Sequence, residues 1–146
     1  MKAVIMAGGS GTRLRPLTCD IPKPMVPVLN KPVMEHIINL LKREGITEIA
    51  VTTHYLPQSI KDYFSDGKKW GVNLHYFHEK YPLGTAGSVQ NASDFLDESF
   101  IVISGDAVCD FNLNKAISFH QEMEAEATLV LTKVNVPLDY GVVITD

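Results

Sequence analysis

A chain of 146 residues with 45% hydrophobic side chains is long enough to bury one ordinary core and too short for two. Its formal charge of −4, with basic residues scattered along the chain, gives no electrostatic support for a nucleic-acid or anionic-membrane partner. The apolar start Ala3–Ala7 is broken too early for a signal peptide or span, and Cys19 and Cys109 lack metal or disulfide spacing, so a single cytoplasmic domain is expected.

Lys2 to Met6 reads as a short strand, almost wholly apolar and therefore covered on both faces. From Gly8 to Lys31 the chain is rich in Gly, Pro and Thr, longer than an ordinary strand-to-helix connection, which marks a functional loop. After Pro32, the four-residue repeat Val33, Ile37, Leu41 with Met34 and Ile38 beside it predicts an amphipathic helix ending at Gly45. Ile46 to Thr53 reads as a strand. Pro57 opens a second helix that buries Ile60, Tyr63 and Phe64 and closes by Gly67, and Val72, Leu74 and Tyr76 alternate as a third strand.

Gly87 to Asp97 is predicted as a helix with Val89, Ala92, Phe95 and Leu96 inward, and Phe100 to Ile103 as the next apolar strand. Asn112 is placed to cap a helix that buries Leu113, Ala116, Ile117 and Met123. The β-branched run Ala127–Val134 and then Gly141–Ile144 read as two more strands. Strands alternating with helices imply right-handed crossovers, hence an α/β, Rossmann-like fold: a mostly parallel twisted sheet with helices on both faces. Ligands of such sheets sit beyond the carboxyl ends of the strands, where Gly8–Arg15, Glu79–Gly87 and Ser104–Asp106 are expected to emerge.

Ala7 to Thr18 carries Gly8, Gly9 and Gly11 directly after a buried strand, and such glycines let backbone N–H groups approach a phosphate. Neither the P-loop nor the dinucleotide fingerprint fits, since the first needs a Lys-Ser/Thr pair and the second a glycine where Leu14 stands. Arg13 and Arg15 supply guanidinium donors suited to phosphate oxygens; Arg13 is the favoured ligand, while Arg15 serves equally well to clamp the loop. Lys23, held between Pro22 and Pro24, is either an exposed lysine on a rigid loop or a preorganised ammonium.

Four segments in one order, Gly8–Thr18 (GGSGTRLRPLT), Pro22–Val28 (PKPMVPV), Pro82–Gly87 (PLGTAG) and the pair Gly105–Asp106, followed by Tyr140–Val143, resemble the sugar-phosphate nucleotidyltransferase family, the nucleotide-sugar pyrophosphorylases. The resemblance runs along the whole chain. It implies a Mg²⁺-dependent reaction of a nucleoside triphosphate with a sugar 1-phosphate, in which the sugar phosphate attacks the α-phosphorus and pyrophosphate leaves. By that resemblance Ala7, Gly8, Gly9, Gly11 and Thr12 line the nucleotide, Arg13 holds the triphosphate, and Lys23 contacts the reacting phosphates. Asp106 takes the metal-binding position, against the plainer reading of a turn aspartate; Asp110 is better explained as a helix cap or surface residue.

Pro82, Gly84 and Thr85 match the segment that closes around base and ribose, and Gly87 resembles the mannose-1-phosphate guanylyltransferase branch, where uridylyl and thymidylyl branches tend to carry glutamine. Glu79 pairs either with a base amino group or with the surface around Lys80. Tyr140 and Gly141 match positions near the sugar, or else form a turn. The five histidines lack zinc-site spacing. The family's catalytic domain is longer, so residues 1–146 are expected to be its nucleotide-binding portion, lacking the sugar-binding portion and a second metal-binding aspartate. Such a chain would expose an apolar edge unless homo-oligomers cover it. The alternatives are a glucose-1-phosphate uridylyl-, thymidylyl- or adenylyltransferase, and a noncatalytic subunit that senses nucleotide sugars.

Overall fold

The computed structural model describes residues 1–134, 136 and 141–143, and it divides into two compact units, Met1–Asp110 and Phe111–Asp146. The first unit is built on four parallel strands, β1 (Lys2–Ala7), β4 (Glu48–Thr53), β5 (Asn73–His78) and β6 (Phe100–Ser104), in the order β5-β4-β1-β6. Two-residue strands β2 (Pro27–Val28) and β3 (Lys31–Pro32) form a separate antiparallel hairpin within the long loop.

The sequence dictates the central strands directly. Ala3, Val4 and Ile5 are consecutive and fully buried, as are Ile49, Ala50 and Val51, and consecutive side chains point to opposite faces, so both faces of the sheet are covered. On one face Val4 and Ala50 pack with Ala92, while Met6, Phe77, Val89, Phe95 and Leu96 close around them. This is the face covered by α3 (Gly84–Gln90) and the turn after it. On the other face the ring of Tyr76 lies under Lys61 of α2 (Pro57–Phe64). Right-handed crossovers put α1 (Val33–Arg43) on that same face, burying Met34, Ile37, Ile38 and Leu41.

The chain steps outward from β1 to β4 to β5, then returns across the sheet to place β6 on the other side of β1. The strand order therefore reverses between β1 and β6. Such a reversal splays the connections apart and leaves a crevice at the carboxyl ends of the two strands.

Several expectations need correction. The helix expected over Gly87–Asp97 instead runs Gly84–Gln90, followed by a 3₁₀ turn at Ser93–Phe95. It starts early because Glu79 accepts a bond from the Leu83 amide at 3.3 Å, and it stops in Asn91, Ser93 and Asp94, which favour turns over helix interiors. Tyr63 is 43% exposed, not buried, although its hydroxyl donates to Oε2 of the buried Glu35 at 2.9 Å.

In the second unit α4 (Leu113–Glu122) begins as expected, with the Asn112 side chain accepting from the Lys115 amide at 3.0 Å. Met123 is exposed, because it caps the helix end instead of lying on its buried face. Ala127–Val134 is not a strand: a β-branched run needs a ladder partner, and none pairs with it among the described residues. Gly141–Val143 likewise form no strand; Ile144 lies outside the described residues.

Ile5 lies at the centre of the sheet with no exposed surface. Ile5→Ala is expected to lower the unfolding free energy by about 2–5 kcal/mol, measured by denaturant titration.

Candidate active site

β1 and β6 stay in parallel register until Met6 stands beside Ser104, and the Gly105 N–H then donates to the Met6 carbonyl at 2.8 Å. A Cβ on Gly105 would stand 2.8 Å from that carbonyl and 3.2 Å from Pro24 Cγ. Only glycine allows this approach, which sets Asp106 next to the Pro22–Met25 segment. There Pro22 caps a short 3₁₀ turn of Lys23–Met25 and Pro24 is buried beneath it, so Lys23 projects from a stiff support.

Lys23 Nζ forms an ion pair with Asp106 Oδ2, and Ser104 Oγ donates to Asp106 Oδ1. Partial burial pushes the Asp106 carboxyl up, but the hydrogen bonds from Lys23 and Ser104, together with the lysine charge, outweigh it and hold the carboxyl below its ordinary range. Both side chains remain about one-third exposed, at 32% and 29%, so the pair is accessible to a ligand.

The pair stands where two clefts meet. One, of about 300 Å³, is walled by Ala7, Gly8 and Gly9 from the end of β1, by Glu79, Pro82, Gly84, Thr85 and Ser88, and by Ser104 from β6. The second, of about 280 Å³, is walled by Gly9 to Leu14. Lys23, Asp106 and Gly9 belong to both. Arg13 lines the second cleft and is exposed, without an ion pair among the described residues; Arg15 is exposed and lines neither.

The glycine loop is held by residues that pattern reading missed. Gly11 has a φ of 61°, and a Cβ there would meet Thr18 at 3.0 Å and Lys23 at 3.2 Å. Thr18 is fully buried and donates to the Gly11 carbonyl at 2.7 Å, while the Tyr55 hydroxyl donates to the Thr18 carbonyl at 3.2 Å and the Cys19 carbonyl at 2.8 Å. A threonine seven positions after a glycine carries no sequence signal, because the bond exists only once the loop has folded back.

Glu79 is buried, which removes the surface reading beside Lys80; its carboxylate accepts from Ser88 Oγ at 2.6 Å and from the Leu83 amide. Asp110 lies in a surface ion pair with Arg43 at 3.0 Å, as the plainer reading had it. Gly141 is exposed, and Tyr140 lies outside the described residues.

A glycine loop, two cations and one carboxylate lie together at the reversal point of a parallel sheet, groups whose chemistry suits phosphate oxygens. The chain belongs to the nucleotidyl transferase family. That family's pattern matches residues 2–146. The chain is 43% identical over 147 residues to the mannose-1-phosphate guanylyltransferase catalytic subunit beta of Dictyostelium discoideum, covering 99% of this chain and 41% of that one. It is 42% identical over 160 residues to the UTP–glucose-1-phosphate uridylyltransferase of a Synechocystis strain, covering 100% and 41%.

Among solved structures it is similar to HddC from Yersinia pseudotuberculosis complexed with GMP-PN, at 35% identity and a TM-score of 0.73 over 82% of this chain and 53% of that one. It is also similar to the UDP-glucose pyrophosphorylase of Acinetobacter baumanii, at 26% identity and a TM-score of 0.74 over 85% and 53%. The chain thus spans about 41% of the length of the curated relatives it matches. Guanylyl and uridylyl relatives match it almost equally, so overall identity does not choose the base.

For this family member the metal question turns on the donor set. Among the described residues no three His, Cys, Asp or Glu side chains gather around one point, so there is no all-protein cage. Asp106 alone, ionised and at the shared wall of the clefts, suits a hard cation that takes its other ligands from phosphates and water.

Lys23→Met removes the cation and leaves Asp106 with Ser104 alone. The Asp106 titration, followed by carboxyl-carbon NMR, is expected to move to higher pH. Because the folded value lies below the unfolded one, the pair's contribution to stability is present above the ordinary aspartate range and lost as pH falls through the depressed value. The variant is expected to lose that acid-side dependence; an unmoved titration rules the Lys23 charge out as its cause.

Proposed function

We propose that residues 1–146 are the nucleotide-binding part of a sugar-phosphate nucleotidyltransferase that transfers a nucleotidyl group from a nucleoside triphosphate to a sugar 1-phosphate. The observation that carries this reading is the Lys23–Asp106 pair at the common wall of two clefts, one beside the glycine loop and Arg13, the other beside Pro82, Gly84 and Thr85. The second of these, poorer in cations, suits a base and ribose, with Ala7, Gly8 and Gly9 at its floor. The first suits the phosphates, with backbone groups of Gly11 and Thr12 and the Arg13 guanidinium facing them.

In-line transfer concentrates negative charge on non-bridging oxygens and on the departing pyrophosphate. In this reading Lys23 meets the charge at the α-phosphorus and Arg13 that on the leaving group; Lys23 is already held by its flanking prolines and by Asp106 before substrate arrives, which is the source of its effect. Pro22 and Pro24 keep Lys23 from following the substrate out. Asp106 would hold Mg²⁺ together with substrate phosphates, and the ion would neutralise phosphate charge and orient the oxygens. Tyr140 and Gly141 are assigned to the sugar side on resemblance alone.

GTP and mannose 1-phosphate are the proposed substrates, supported by the guanylyltransferase relatives and by the segment Pro82–Gly87. In the structure a Cβ on Gly87 would press on Leu83 Cβ at 2.9 Å, so a larger residue would reshape this wall. Calorimetry of GTP, ATP, UTP and dTTP against residues 1–146 is expected to rank GTP first, and turnover by a longer protein carrying this domain is expected to favour mannose 1-phosphate with GTP. Preference for UTP or dTTP with glucose 1-phosphate would overturn the guanylyl assignment and leave the reaction class standing.

Lys23→Ala in that longer protein is expected to lower turnover about 10²- to 10³-fold, the usual scale for loss of one transition-state donor, with an unchanged circular dichroism spectrum. Turnover within threefold of the parent demotes Lys23 to a structural partner of Asp106.

A further inference from the structure

We infer that Glu35 is a positioning residue for Lys23: its buried carboxylate clamps the base of the β2–β3 hairpin to α1 and α2 and so holds the Pro22–Val26 turn against Gly105. The consequence for transfer rests on the function proposed above; the placement of Lys23 does not. Glu35 lies in the first turn of α1 and is only 7% exposed. Lys31 Nζ of β3 reaches Oε1 at 3.1 Å, the Tyr63 hydroxyl of α2 donates to Oε2 at 2.9 Å, and the Trp70 indole N–H, on the turn before β5, lends a further hydrogen bond. Four segments therefore meet on one carboxylate. Glu35, Tyr63 and Trp70 line neither cleft.

The neutral donors are themselves fixed by packing. The rings of Tyr63 and Trp70 lie 5.5 Å apart, and the fully buried Phe64 packs 4.8 Å from the first and 5.0 Å from the second. Burial pushes the Glu35 carboxyl up, but the bonds from Lys31, Tyr63 and Trp70 outweigh it and hold the group below its ordinary range. Removing the carboxylate would strand the Tyr63 hydroxyl and the Trp70 N–H together.

The hairpin has need of such a clamp. Leu29 and Asn30 at its tip have φ values of 51° and 62°, the left-handed pairing that a two-residue turn demands and that leucine disfavours. Leu29 is 86% exposed, so packing at the tip does little to hold it there. A conformation of this kind persists where its surroundings over-determine it, and here the determination comes from the base. His36 Nε2 donates to the Val28 carbonyl at 2.9 Å, the Val33 amide to the Val26 carbonyl at 3.1 Å, and the Val26 amide to the Lys23 carbonyl at 3.1 Å. Hydrogen bonds thus run from the helix that carries Glu35 back to Lys23. At the other end the buried Pro24 lies 3.2 Å from where a Cβ on Gly105 would stand, so the lysine is held between Gly105 and Glu35.

The test uses the full 146-residue chain and two readouts. The first is the rate at which an amine-acylating reagent labels Lys23, read by peptide mass spectrometry against the exposed Lys115 of α4. Glu35→Ala is expected to raise the Lys23 rate about threefold or more, as the ammonium leaves Asp106, with Lys115 unchanged. Glu35→Gln is expected to stay within about twofold of the parent, because its amide oxygen still accepts from buried donors and the pair it loses, with the half-exposed Lys31, contributes little.

The second readout is calorimetry of inorganic tripolyphosphate with Mg²⁺. Glu35→Ala is expected to weaken binding about threefold or more in the parent and to cause no further loss in a Lys23→Met chain, since coupled residues are not additive. If Glu35→Ala does not fold, Tyr63→Phe removes one donor at a half-exposed position and is expected to move both readouts the same way in smaller measure. A folded variant that has lost stability while Lys23 labelling stays at the parent rate overturns the inference, and so does an equal loss of tripolyphosphate affinity in both backgrounds. A parent chain that binds no tripolyphosphate overturns the phosphate-binding reading instead, and the labelling rates then decide this inference alone.

Discussion

The bond from the Gly105 amide to the Met6 carbonyl, at 2.8 Å, holds the two halves of the site together. It extends the β1–β6 ladder one step past the end of the strand, at the point where the sheet reverses direction. Met6 leads into the glycine loop and Gly105 into Asp106, so a shift here would move the loop and the carboxylate apart. Pro24 packs into the same space, 3.2 Å from where a side chain on residue 105 would begin. Three segments far apart in sequence are thus gauged against one glycine.

The charges follow from that packing. Lys23 and Asp106 neutralise each other across the junction of two clefts, while Arg13 stands exposed on the wall of the Gly9–Leu14 cleft. An anion and a cation arriving together can each take one partner of the pair, whereas either alone would leave a half-buried charge unmatched. Lys23 and Ser104 hold the Asp106 carboxyl below a range in which an aspartate is already ionised at neutral pH.

Membership of the nucleotidyl transferase family and the geometry of the clefts bear on different questions. The family match defines the class of chemistry, and the near-equal similarity to guanylyl and uridylyl relatives leaves base choice to local shape. In the proposed reading that shape is the Pro82–Ser88 wall, where Gly87 abuts Leu83 and Glu79 bonds to Leu83 and Ser88.

The sequence by itself determined the elements with strong periodicity and the residues with strong chemistry. Three consecutive buried residues in each central strand, the four-residue repeat of α1, and Gly8–Arg13, Lys23 and Asp106 were legible because their signals are local: an apolar pattern, a proline beside a lysine, an aspartate after a strand. Tertiary structure decided the rest. The β-branched run 127–134 has strand propensity but no ladder partner among the described residues, and propensity without pairing does not make a strand. Glu79 looked equally like a base ligand or a surface charge until burial removed the second reading, and the hydrogen bonds of Thr18, Tyr55 and His54 left no trace in the sequence. Those residues act through hydrogen bonds spanning 7 to 37 positions, and such bonds depend on which strand ends the crossovers bring together, a property of the whole sheet that no local pattern contains.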